Sequence, residues 1–142
     1  MSERQFRDNG ETIYDFLSHK ILLTCPRCQE CAFGFFSYGS SAKITCNECG
    51  FHKVYERYGL GNGYFCETEL WLKTNCCSEK LWAYNQEHLE FIESYIGATL
   101  REKIPNINQS LASRLPVWMT KSSNRSQVLK GIQKLKNKLV ST

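Results

Sequence analysis

The sequence predicts an α+β chain, on three observations. Strand-like runs crowd residues 20 to 58 around two CxxC pairs. A second pair of strand-like runs flanks Cys76-Cys77-Ser78-Glu79, and from Asn85 onward apolar residues recur at helical spacing. At 142 residues, 42% hydrophobic and 13% aromatic, the chain can bury one sizeable core or two small ones.

Taken in order, residues 1 to 19 read as an N-terminal arm or short helix. Thr12-x-x-Asp15 has the form of a capping box ahead of Ile13, Phe16 and Leu17. Lys20-Ile-Leu-Leu-Thr24 is strand-like and leads into Cys25. Between the cysteine pairs, Ala32 to Tyr38 and Ala42 to Thr45 read as two short strands around Gly39-Ser-Ser41, and Phe51 to Tyr55 gives a third. The segment Tyr58-Gly-Leu-Gly-Asn-Gly63 reads as a loop and a boundary, so the chain divides into 20 to 58 and 64 to 142.

In the second part, Glu69 to Thr74 and Lys80 to Tyr84 form a β-hairpin, followed by a C-terminal helical module. Asn85 is a good N-cap for a helix to about Lys103, ended by Pro105. Leu89, Ile92, Ile96, Leu100 and Ile104 form its apolar stripe, with Glu87 and Glu90 away from it. A short helix near Gln109 to Leu115 is expected to stop at Pro116. The last helix, capped by Ser123 or Asn124, runs to about Leu139 with Val128, Ile132, Leu135 and Leu139 on one face.

The chemistry concentrates at Cys25-Pro-Arg-Cys28 and, after seventeen residues, Cys46-Asn-Glu-Cys49-Gly50. Two residues between cysteines let a tight knuckle aim both sulfurs at one ion, and two knuckles complete the four-cysteine shell that structural zinc prefers. Gly50 suits the left-handed position that ends such a knuckle. One structural Zn²⁺ bound by Cys25, Cys28, Cys46 and Cys49 is the expectation. The alternatives are a pair of disulfides and an iron site of the rubredoxin kind. Four protein ligands leave no open position for water or substrate, so the metal is expected to fold the segment rather than to catalyse.

With these residues in view, residues 20 to 57, carrying CPxC...CxxCG and the strands around it, resemble the zinc ribbons of the general transcription factor IIB type. That resemblance implies three short antiparallel strands joined by two Cys knuckles, and contact with polymerases, nucleic acid or partner proteins. The runs WLKTNCC, KLWAYNQEHLEFIESYIGATLREK and SLASRLPVWM followed by NR are similar to a family of small bacterial zinc-ribbon proteins without an assigned activity. Some members carry a name related to the primosomal replication-restart helicase. No GxxxxGK[ST] occurs in the chain, so an ATPase is not expected.

Charge separates the two parts. The net charge is +4, yet residues 1 to 100 carry nine Lys/Arg against thirteen Asp/Glu, and residues 101 to 142 carry nine against one. Residues 20 to 58 carry five basic and three acidic side chains, and four thiolates with Zn²⁺ add −2, so a metallated ribbon is close to neutral. Phe35, Phe36, Tyr38 and Phe51 could stack bases, although filling a small core is the commoner fate. Phosphate recognition therefore falls to the C-terminal third. Lys130, Lys134 and Lys138 recur every four residues opposite the apolar stripe, flanked by Arg125 and Lys136, and Arg101, Arg114 and Lys121 would extend the patch. Trp118 is either an exposed anchor beside it or a core residue. Simple solvation of a charged face explains the same lysines.

No arrangement of His with Cys, Ser or Asp stands at informative spacing, and His88 reads as an ordinary surface or edge residue. Cys31 could substitute for Cys25 in a shifted knuckle, and Cys66, Cys76 and Cys77 could form a second site or a redox pair, but adjacent cysteines are poor joint ligands and all four read by default as buried hydrophobes. No run approaches 18 apolar residues and the start, Met1 to Gly10, is polar, so a cytoplasmic protein without membrane contact is expected. The expectation is a non-enzymatic, zinc-binding protein associated with DNA or RNA through its basic C-terminal surface. The alternative is an adaptor docking a protein of a replication or transcription complex.

Overall fold

The computed structural model describes residues 5–7, 12–36, 41–61, 63–98, 100–102 and 115–140. Among these residues it is mixed α+β, with three antiparallel sheets, one parallel strand pair and four α-helices. A short strand, β1 (Gln5–Arg7), comes first. Helix α1 (Ile13–Leu17) begins where the capping box placed it, with the Thr12 N–H donating to the Asp15 carboxylate at 2.7 Å. Four strands follow in one antiparallel sheet of sequential order: β2 (Ile21–Thr24), β3 (Cys31–Phe36), β4 (Ala42–Thr45) and β5 (His52–Tyr55). The run before Cys25 thus joins the three strands expected after it.

Strand β2 holds the molecule together. Ile21, Leu22 and Leu23 are all buried, because the strand is covered on both faces. Ile21 and Leu23 enter a core with Ala32, Ala42, Ile44, Phe65, Leu70 and Tyr84. Leu22 points the other way, into a second core built on Leu72, Leu81, Leu89, Ile92, Ile96, Val128, Ile132 and Leu135. The first core draws Phe65, Cys66 and Leu70 from beyond the Tyr58–Gly63 segment. That segment is not simply a loop. Leu60–Gly61 (β6), Tyr64–Phe65 (β7) and Thr68–Glu69 (β8) form a small three-stranded meander. Its tight turn uses Cys66 and Glu67 at φ 50° and 63°, the both-positive signature of a type I′ hairpin made here without glycine, so no turn signal stood in the sequence.

The expected hairpin is Leu72–Cys76 (β9) paired with Glu79–Ala83 (β10), in register from Glu79 opposite Cys76 to Ala83 opposite Leu72. Helix α2 begins at Gln86 on the Asn85 cap but ends at Gly97, not near Lys103. Ala98 is already extended, and Leu100–Glu102 (β11) pairs in parallel with β1. Leu100 therefore continues the apolar spacing without belonging to the helix, and Ile104 lies outside the described residues. Gly97 is a weak helix former, and pairing with the N-terminal strand offers the backbone beyond it other hydrogen-bond partners. Most of the expected 109 to 115 helix lies outside the described residues. Pro116 is the N-cap of α3 (Val117–Thr120). A 3-10 turn (Ser122–Asn124) then leads into α4 (Arg125–Val140). Helix α4 packs on α2 and on the β9–β10 hairpin, where Gly131 permits the close approach to β10: a Cβ there would lie 2.8 Å from Leu81 Cδ2. No helix is long and apolar enough to cross a membrane among the described residues.

Candidate metal centre and basic surface

The two CxxC turns fold alike. The Cys25 N–H donates to Glu30 O at 2.7 Å and the Gln29 N–H to Cys25 O at 3.0 Å. In the second turn the Cys46 N–H donates to Phe51 O at 2.8 Å and the Gly50 N–H to Cys46 O at 2.9 Å. The left-handed residue stands at the same place in each, Gln29 at φ 69° and Gly50 at φ 80°. Gly50 was legible as such a position; Gln29 was not. The β2–β3 and β4–β5 pairings bring the turns to the same end of the sheet.

There the sulfurs of Cys25, Cys28, Cys46 and Cys49 all lie within 4.8 Å of one another, with Cys25 to Cys49 and Cys28 to Cys46 at 3.6 Å. A tetrahedral ion with metal–sulfur bonds of about 2.3 Å would place its sulfurs about 3.8 Å apart, so the four thiols could hold one metal ion. The N–H groups of Arg27 and Cys28 point at Cys25 Sγ, at 3.4 and 3.5 Å. Burial raises the Cys25 thiol, but these N–H groups and the neighbouring thiols outweigh it and bring it down to about 7. Cys28 and Cys49 move oppositely. Despite the backbone N–H interactions at Glu30 and Phe51, burial and the adjacent thiols push Cys28 up to about 12, and burial with the Cys25 and Cys46 thiols raises Cys49. Four thiolates this close repel one another, and a bound dication is what lets them ionise together.

Cys31 lies outside the cluster, on β3 opposite Thr24, half-buried, with burial pushing its thiol up to about 11. Phe36 and Phe51 pack against the first core, Phe36 edge-on to Tyr58 and Phe65, while Phe35 faces outward under Lys43. Tyr38 is outside the described residues.

The basic residues do not form one stripe. Lys130 and Lys134 are exposed on the outward face of α4, and Lys121 is exposed between α3 and the 3-10 turn. Arg125 and Lys130 share an open groove of about 600 Å³ with Ser122, Ser126, Leu129 and Gln133, and the buried Arg125 Nε has no hydrogen-bond partner among the described residues. Lys138 turns away. Its ammonium lies 4.4 Å from the Trp71 ring centroid and donates to Trp71 O at 2.6 Å, and burial lowers its pKa against the opposing influence of Glu69 and Cys31. Steps of four residues drift by about 40° around a helix of 3.6 residues per turn, which carries the third lysine to the flank. Lys136 pairs with Glu93 at 3.1 Å. Arg101 lies on β11 opposite Phe6, and Arg114 is outside the described residues. Trp118 is half-buried against the helical core.

His88 is a core residue and not the surface or edge residue its helix position suggests. It is 2% exposed, its Nδ1 accepts the Tyr84 N–H at 3.0 Å, and its ring stacks on Tyr84. Burial lowers its pKa from 6.5 to about 3, so it is a neutral core group and not a surface one. Below pH 6.5 the unfolded chain takes up a proton that the folded chain refuses. Stability is therefore complete above about pH 6.5 and falls toward pH 3, by up to about 1.4 kcal/mol per pH unit. Urea unfolding between about pH 7 and pH 5.5 should show this loss, and His88→Asn, which keeps an acceptor for the Tyr84 N–H, should flatten it. Equal slopes in the two proteins would refute the assignment.

Compared with protein-family models, curated proteins and solved structures, the chain matches none of them.

Proposed function

We propose that the chain is a non-enzymatic zinc-ribbon protein, with one structural Zn²⁺ held by Cys25, Cys28, Cys46 and Cys49, that associates with nucleic acid through the outward face of α4. The convergence of four thiols within 4.8 Å carries the metal part of this reading. An all-sulfur shell from two cysteine turns on one antiparallel sheet suits zinc, whose four-coordinate structural sites have this donor set. The ion ties β2 to β5 and leaves no open coordination position.

The nucleic-acid part rests on charge and exposure. Helix α4 carries no acidic residue, and Lys130, Lys134 and the Arg125 groove present cations with room for a phosphate. The metallated ribbon is nearly neutral and serves as scaffold. Lys138 and Lys136 are engaged within the protein and contribute little.

Titration of a fluorescent mixed-sequence DNA or RNA oligonucleotide against salt tests this. Binding should weaken steeply as salt rises, and each of Lys130→Glu and Lys134→Glu should reduce the logarithmic salt slope by about one. Lys138→Ala should leave the slope nearly unchanged. No binding at low salt would remove the nucleic-acid reading. A stoichiometric protein partner that survives both reversals would favour the adaptor alternative, which the 61% exposure of Val54 on strand β5, at the sheet edge, also suits.

A further inference from the structure

Adjacent residues in a strand point to opposite faces, so neighbouring cysteines do not ordinarily share a ligand. The β9–β10 turn defeats that rule. Cys77 and Ser78 take φ 55° and 63°, the type I′ geometry, and the left-handed step swings the Cys77 sulfur back to within 3.4 Å of the Cys76 sulfur. Helix α4 closes one side: Cys76 Sγ–H faces Gln127 O at 3.6 Å, and Cys77 Sγ–H donates to Gln127 Oε1 at 3.1 Å. Gly131, one turn along, also faces Cys76, whose Cβ and Sγ would lie 3.7 Å from a Cβ there. The other side is open, since Cys77 is only half-buried.

We propose that Cys76 and Cys77 form a dithiol site, separate from the four-cysteine cluster, that chelates a trivalent arsenic oxide of the R–As=O class. A pyramidal arsenic(III) centre has bond angles near a right angle and holds two sulfurs closer together than tetrahedral zinc does. The 3.4 Å bite is accordingly shorter than the 3.6 Å separations in the cluster. Two As–S bonds form, the As=O bond breaks, and its oxygen leaves as water with the two thiol protons. Arsenic stays trivalent and no oxidant is needed. Burial pushes the Cys76 thiol up to about 11, so at neutral pH it carries the proton this condensation consumes.

Cys66 provides the internal comparison, because it stands in a turn with the same backbone signs but without a second cysteine beside it. The full reduced chain is treated with one equivalent of phenylarsine oxide, and its mass and metal content are read before and after. One dehydrated adduct should form without metal loss and resist competition by a monothiol. Cys77→Ser and Cys76→Ser should each abolish that resistant adduct, and Cys66→Ser should preserve it. Should Cys76→Ser fail to fold, the half-buried Cys77→Ser decides. An adduct that survives Cys77→Ser, that forms only as metal is released, or that does not form at all would overturn the proposal.

Discussion

Replacing Cys46 by serine is expected to abolish zinc binding and unfold the four-stranded sheet. Cys46 is 3% exposed and its sulfur faces Cys28 across the cluster, so a serine oxygen there is a poorer ligand in a site with no spare one. Apparent binding energies of structural zinc are about 10–16 kcal/mol in small zinc-finger peptides. Whole domains are stable by only about 5–15 kcal/mol, so losing the ion removes most or all of what keeps a sheet this small folded. The damage should spread. Leu22 anchors the second core from the same strand that carries Ile21 and Leu23, so the helices should lose stability as well. Metal analysis with a thermal melt checks this, and Cys31→Ser, outside the cluster, should retain the metal. A Cys46→Ser protein that keeps stoichiometric zinc and its melting temperature would contradict the assignment.

Asn85→Ala is expected to cost about 1.5–2.5 kcal/mol, shared between a helix cap and a contact far away in sequence. Asn85 Oδ1 accepts the His88 N–H at 2.9 Å, capping α2, and its Nδ2 donates to Phe16 O at 2.8 Å, tying α1 to the helical module. The cap alone contributes about 1 kcal/mol. Alanine also removes the Nδ2 bond to Phe16 O, which keeps only the His19 N–H at 3.2 Å, and this loss contributes about 0.5–1.5 kcal/mol. Asn85→Ser restores a cap but cannot reach Phe16, and should recover only about 1 kcal/mol. Urea unfolding of the three proteins separates the two contributions. Full recovery in the serine variant would show that the Phe16 contact contributes nothing.

Local rules made much of this molecule legible. The CxxC spacing identified the four converging thiols, and Asn85 gave the start of α2. Apolar periodicity placed α4, whose cap expectation at Ser123 or Asn124 falls on the 3-10 turn just before Arg125. What stayed hidden depended on distant partners. The end of α2 is set by β11 pairing with Gln5–Arg7, which no helical periodicity can register. His88 looks like a surface residue beside Glu87 and Glu90 until Tyr84, Trp82 and Phe16 are packed around it. Lys138 fits a cationic stripe by spacing, and only the fold brings Trp71 beneath it. The two type I′ turns carry no glycine, and the convergence of Cys76 with Cys77 is invisible because it arises from a left-handed step.

The proposed site has four sulfurs sharing one zinc ion. X-ray absorption at the zinc edge of the purified chain tests it most directly. The expected result is four sulfur neighbours at about 2.3 Å and no oxygen or nitrogen bonded to the ion. A mixed shell, fewer than four sulfurs, or cysteines found paired as disulfides would contradict it.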